Sequence, residues 1–313
     1  MLQFSEDYFK GEYREGFYIE PMMKRAWAGQ LEVYTEIAAV CQKHNIRFFA
    51  DWGTILGAVR HKGFIPWDDD MDIGMLRGDY LKFIKIAQQE LPEGYAVVNL
   101  HTDEDFGNML TRVVNSRDIN LDEEHLKRFH GCPYALGLDI FPIDYIPRNL
   151  EDEEMEKELL RIILTTAKVL AEMPDADKGD LMRNLRDIEN LCGVKFTAEK
   201  SLIIQLYELA ENICSMYTAE DADCVTSMTD LVNGWNYRPS KECYASSIMM
   251  PFENVKVPVP VGYDEVLKVK YGENYMTPIN QGGGHDYPFY NKQKPFLIAR
   301  LQELGMSGES FGV

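Results

Sequence analysis

The pattern of apolar and polar positions divides the 313-residue chain into three textures. In the first, helical and strand patterns alternate. Between residues 22 and 45, Trp27, Leu31, Tyr34, Ile37, Ala38 and Cys41 recur at three- and four-residue spacing, which predicts a helix. The apolar run 46–51 predicts a short buried strand, and 53–60 a short helix opened by a tight glycine turn. Residues 71–75 read as a strand, and 79–91 as a helix ended by Pro92 and Gly94. Further strands are expected at 95–100, 109–115 and 136–141.

The second texture is helical, with segments at 153–173, 178–191 and 198–217 whose charged faces suit solvent. The third, from Trp235 onward, is rich in aromatics, proline and glycine. It predicts strands at 246–250 and 255–259 and a helix at 263–270. Strands clustered early with helices added later predict an α+β fold with a mixed sheet rather than a regular doubly wound array.

Composition narrows the function. With 45% hydrophobic and 27% charged residues the chain is ordinary globular material, and 51 acidic against 32 basic residues give a net charge of −19. Nonspecific nucleic-acid binding draws its affinity from lysine and arginine neutralising phosphates, so no nucleic-acid partner is expected. No stretch approaches the roughly 18 apolar residues of a membrane span, and residues 1–14 lack an apolar secretory core. A cytoplasmic location is therefore expected. The six cysteines include no C-x-x-C pair, which suits reduced thiols and argues against structural zinc.

The chemistry concentrates between residues 48 and 80. Asp68, Asp70 and Asp72 alternate, so in an extended run their carboxylates share one face, with Asp69, Met71 and Ile73 on the other. Three converging carboxylates repel one another unless a cation sits among them. Mg²⁺ or Mn²⁺, hard ions that take oxygen ligands and substrate phosphates, are the expected occupants. An EF-hand loop would need Gly and Glu where Ile73 and Asp79 stand, so it is rejected. Upstream, Gly53 and Thr54 sit where a strand passes into a helix. Glycine allows close backbone approach there, and a helix N-terminus offers N–H groups to a phosphate. Arg60, His61 and Lys62 form a compact basic group suited either to donor phosphates or to the surface.

The run GTILGAVRHKGFIPWDDDMDIGM, residues 53–75, closely resembles the signature of the LicD/fukutin family of the nucleotidyltransferase-fold superfamily. Looser pieces follow: Arg112 and Arg117 in MLTRVVNSRD, the LDIFPID run at 138–144, and LKVKYGENYMTP followed by His285. The resemblance implies a nucleotidyltransferase-like central mixed sheet with a helical insertion and a C-terminal elaboration. One domain is expected over 1–313: a core at 22–150, a helical region at 151–234, and a C-terminal region at 235–313 completing the site.

It further implies metal-dependent transfer of phosphocholine from CDP-choline to a hydroxyl of a cell-surface glycan, such as teichoic acid or lipopolysaccharide, or its lipid-linked precursor. A lipid-linked acceptor would bring the chain to the inner membrane face. Asp70 and Asp72 become paired metal ligands with Asp68 beside them. Asp139, inside an apolar run, becomes the third carboxylate or the base, with Asp144 as fallback and a partnership with Arg112 as the alternative. Gly53, Thr54, Arg60, His61, Lys62, Trp67, Arg112 and His285 become donor-binding. A choline head calls for aromatic rings, and Trp52, Trp67, Trp235, Tyr237 and Tyr244 are the candidates. Three alternatives stand: transfer of ribitol or glycerol phosphate from a CDP donor, NMP transfer by a nucleotidyltransferase, and a nucleotide- or glycan-binding module without turnover.

Overall fold

The stripe expected at residues 22–45 is a 23-residue helix in the computed structural model, which describes residues 1–103, 106–172, 178–280 and 287–313. Along the chain the elements begin with β1 (Glu12–Arg14), β2 (Phe17–Ile19), α1 (Pro21–Lys43), β3 (Phe49–Ala50), α2 (Trp52–Arg60), β4 (Asp72–Leu76) and α3 (Arg77–Glu90). There follow β5 (Ala96–Val98), β6 (Thr111–Val114), α4 (Glu123–Arg128), β7 (Gly137–Pro147), α5 (Leu150–Glu172), α6 (Lys178–Cys192) and α7 (Leu202–Cys214). The remainder is β8 (Ala222–Thr226), α8 (Met228–Val232), β9 (Ser247–Phe252), β10 (Val255–Pro260), α9 (Tyr263–Tyr271) and α10 (Lys294–Leu304). The fold is α+β with a mixed sheet.

Two compact units divide the chain. The first comprises Met1–Val97, Arg112–Ile140 and Ser246–Val313. Its strands run in the order β3-β4-β7-β6-β5, with β3 antiparallel to β4 through Phe49↔Gly74 and Ala50↔Ile73. Pro21 opens α1, where its missing N–H costs nothing. The helix is buried without a break from Ala26 to Tyr34, which makes it a core element rather than a surface one. Strand β4 is buried on both faces from Ile73 to Leu76, as suits a strand with neighbours on each side.

The second unit comprises Val98–Thr111 and Phe141–Ala245. There the C-terminal part of β7 pairs antiparallel with β8, Asp144 opposite Thr226. Its core gathers Leu160, Ile163 and Ala167 of α5, Leu206 and Ala210 of α7, and Met228 of α8. Their spacing of three and four residues is the amphipathic pattern expected of packed helices.

Several elements had no sequence-based expectation. The β1–β2 hairpin turns through Glu15 and Gly16, both at positive φ (50° and 77°), the requirement of a two-residue I′ turn. Strand β8 and helices α4, α8 and α10 are short or irregular in pattern, so periodicity did not reveal them. No disulfide joins the cysteines among the described residues, and burial pushes the Cys41 and Cys132 thiols up to about 12. Among the described residues no helix is long and apolar enough to cross a membrane.

Candidate active site

The site is built where β3 hands over to α2. Asp51 caps the helix, its carboxylate accepting from the Trp52 N–H at 2.9 Å. Trp52 takes φ 42°, the left-handed region that ordinary side chains avoid, so the tight turn falls on Trp52 rather than on Gly53. The glycine is required for room instead. A Cβ on Gly53 would stand 1.9 Å from Asp68 Oδ2, closer than any real contact. The free N–H groups expected at this helix start are largely engaged: Thr54 and Ile55 donate to the Asp51 carbonyl at 2.9 and 3.2 Å.

Asp51 carries a further load. Its carboxylate is ion-paired with Lys270 of α9, and the Lys270 ammonium lies 4.1 Å from the Trp52 ring centroid. Both members of the pair are nearly excluded from water, at 8% and 9% side-chain exposure.

The acidic run is held by its backbone. The Trp27 indole donates to the Asp68 carbonyl at 3.2 Å and the Gln30 amide to the Asp69 carbonyl at 2.6 Å. The Asp72 N–H donates to Thr54 Oγ1 at 2.8 Å, and the Asp51 N–H to the Asp72 carbonyl at 3.0 Å. Burial alternates from residue 68 to 73: Asp68, Asp70 and Asp72 half-buried, Asp69, Met71 and Ile73 fully buried. Regular strand begins only at Asp72, so the preceding residues are not bound to strict alternation. Asp69 thereby joins the cluster: Asp68, Asp69 and Asp70 each bring a carboxylate oxygen within 4.8 Å of the others. Asp69 also accepts from the Phe289 N–H.

The electrostatics follow from this crowding. Burial, and then the charges of Asp70, Asp139, Asp68 and Asp51, hold the Asp72 carboxyl well above the ordinary carboxylate range. Asp139 is reached from β7, whose N–H at this residue donates to the Met71 carbonyl at 3.3 Å. Arg112 of β6 clasps Asp139 with two hydrogen bonds of 2.6 Å each. This is the arginine partnership weighed for Asp139 from the sequence. The Asp139 bond, with Asp70 and Asp72 nearby, keeps the guanidinium firmly charged. A cavity of about 470 Å³ is lined by Asp70, Arg112 and Asp139 together with Gln30, Lys292 and Gln293. The last three carried no sequence signal, because no motif marks them.

The basic group lies elsewhere in this unit. Arg60 donates to the Tyr275 carbonyl at 2.8 Å, and His61 meets Glu15 at 3.3 Å. Arg60, His61 and the exposed Lys62 line a separate cavity of about 700 Å³ with Tyr8, Arg14 and Glu253. No aspartate of the acidic run lines it. Trp67 stands between the two groups, edge-on to His61 at 6.4 Å and next in sequence to Asp68. Asp144 belongs to the second unit, where it is buried. His285 lies outside the described residues.

The Haemophilus influenzae lipopolysaccharide cholinephosphotransferase LicD is 27% identical over 262 residues, covering 79% of this chain and 89% of that protein. Uncharacterized proteins of Rickettsia typhi and Rickettsia prowazekii are each 47% identical over 55 residues, which is 18% of this chain. Residues 45–153, which hold the helix start, the acidic run, Arg112 and Asp139, match the model described as LicD/FKTN/FKRP, nucleotidyltransferase domain, so this segment is similar to that family's domain.

Proposed function

We propose that the chain transfers phosphocholine from CDP-choline to a hydroxyl of a cell-surface glycan or its lipid-linked precursor. The observation that carries this reading is the convergence of Asp68, Asp70, Asp72, Asp139 and Arg112 within the family segment. The named activity of the Haemophilus relative, similar over most of both chains, supports the choice of group transferred.

The residues suit Mg²⁺ or Mn²⁺. Burial first, and then the surrounding carboxylates, raise the Asp72 carboxyl, and an all-oxygen donor set so crowded is one that a hard cation would relieve. Asp68, Asp70 and Asp72 would hold the ion. Such an ion, when bound, offsets charge on phosphoryl oxygens.

The chain's own groups do the rest. Arg112 is placed to bind the donor diphosphate, and Asp139 orients it through both carboxylate oxygens. Phosphate oxygens that draw the guanidinium away release Asp139 to accept a proton. The acceptor hydroxyl oxygen then bonds to the phosphorus bearing choline, the bond from that phosphorus to CMP breaks, and the hydroxyl proton passes to Asp139. Thr54 and Asp51 fix the Asp72 backbone, and Gly53 leaves the space that the Asp68 carboxylate occupies. We place the reaction in the cytoplasm, and at the inner membrane face where the acceptor is lipid-linked.

Calorimetric binding of CDP-choline, CDP-ribitol, CDP-glycerol and CTP, with and without Mg²⁺ or Mn²⁺, tests the reading. Metal-dependent preference for CDP-choline, abolished in Asp70→Asn/Asp72→Asn, is expected, with CMP as the released product. Preference for CTP, with pyrophosphate released, would replace it with NMP transfer.

A further inference from the structure

Three aromatic rings from distant parts of the first unit meet beside the acidic run. Phe17 of β2 lies edge-on to Tyr287 at 5.2 Å and to Trp67 at 6.3 Å between ring centroids. All three side chains are half-buried. Trp67 directly precedes Asp68, and negative charge also reaches Tyr287. Burial, and then Asp69, Glu20 and Asp68, raise the Tyr287 hydroxyl above its ordinary range. That hydroxyl is itself buried without a hydrogen-bond partner among the described residues. His61 borders Trp67, and burial disfavours its charged form.

Aromatic carbon next to a negative field complements one kind of ligand in particular. A cation carrying N–H groups is satisfied by carboxylates alone, whereas a quaternary ammonium has no hydrogen to donate and gains from ring quadrupoles. The other aromatic candidates are less suited. The Trp52 ring already has the Lys270 ammonium beside it, and Trp235, Tyr237 and Tyr244 belong to the second unit.

We propose that Phe17, Trp67 and Tyr287 form the subsite that takes the trimethylammonium head of the donor. The proposal rests on the phosphocholine reading and specifies which residues choose choline over a neutral alcohol. Phe17 lies fifty residues before Trp67 and Tyr287 two hundred and twenty after it, so only the folded chain brings the three together.

The test compares CDP-choline with CDP-glycerol, which keeps the nucleotide and phosphates but carries a neutral head. Calorimetry with Mg²⁺ is run on the full chain and on Phe17→Leu, Tyr287→Leu and Tyr287→Phe. Leucine keeps apolar bulk but removes the ring, so each leucine variant should lower the preference for CDP-choline about fivefold, while Tyr287→Phe retains it. On the unaltered chain, tetramethylammonium should compete with CDP-choline and not with CDP-glycerol, a result independent of any variant's folding. If the unaltered chain prefers CDP-choline but both leucine variants keep that preference, or tetramethylammonium competes with neither donor, the subsite assignment is overturned and the function stands. If the unaltered chain shows no preference for CDP-choline, the phosphocholine reading itself is overturned.

Discussion

Glu156 of α5 is 3% exposed, and neither of its carboxylate oxygens has a hydrogen-bond partner among the described residues. Two other carboxylates bear on it: Asp144, buried in β7, and Glu153, one turn earlier, which is ion-paired with Arg238. Burial first, then Asp144 and Glu153, push the Glu156 carboxyl from 4.5 up to about 8. The folded state therefore holds a proton that the unfolded chain releases near pH 4.5. Because the folded form binds more protons, stability falls as pH rises, from the unfolded pKa up to the folded one. Integrated between pH 5 and 8, the loss is about 3 kcal/mol, a sizeable share of the roughly 5–15 kcal/mol that holds a domain together.

Glu156→Gln removes the titration and keeps the shape. The amide is also buried without partners, which costs a similar amount at every pH, so the informative quantity is the slope and not the offset. Urea unfolding of both proteins at pH 5, 6.5 and 8 measures it. Trp235, the one tryptophan of the second unit, reports that unit, and hydrogen exchange along α5 gives an independent reading should the two units unfold separately. The stability of Glu156→Gln relative to the unaltered chain should rise by about 3 kcal/mol from pH 5 to pH 8. A difference that stays constant with pH would mean that Glu156 is ionised in the fold, and the reasoning from burial would be wrong.

Two further substitutions separate stability from function. Gly53→Ala forces the Asp68 carboxylate aside, because the new Cβ would lie 1.9 Å from Oδ2. Transfer should fall on the order of 100-fold while the melting temperature holds, and turnover at the original rate would show that the close approach is unimportant. Lys270→Met strands the Asp51 carboxylate in a nearly dry position and should cost about 3 kcal/mol, much of it recovered when Asp51→Asn is added. Additive losses in a denaturation cycle would refute the pairing.

Much of the fold was legible because periodicity survives in a linear string. The α1 stripe, the β4 run after the acidic residues and the three central helices fell within a few residues of expectation. The Asp68–Ile73 alternation emerged in burial, but regular strand begins only at Asp72, and Asp69 brings its carboxylate to Asp68 and Asp70. The β1–β2 hairpin was missed although Glu15-Gly16 is its signal, because three-residue strands are too short to show a period. Helix α10, with Phe296 and Ile298 exposed, keeps no clear apolar face and gave no stripe to read.

What the sequence determined by itself is the identity and order of the reactive groups: the acidic run, the glycine that makes room beside it, the arginine and aspartate on later strands, and the family resemblance they compose. Tertiary structure decided which of these share a cavity. It joined Asp70 to Arg112, Asp139 and Lys292, set Arg60, His61 and Lys62 around a different cavity, and supplied Lys270 and Tyr287 from the far end of the chain. The reason is physical. Spacing of two or three-and-a-half residues encodes the face a side chain takes within one element. Its neighbours across elements are set by packing and by the pairing of buried charges, interactions between residues tens to hundreds of positions apart that leave no local pattern to read.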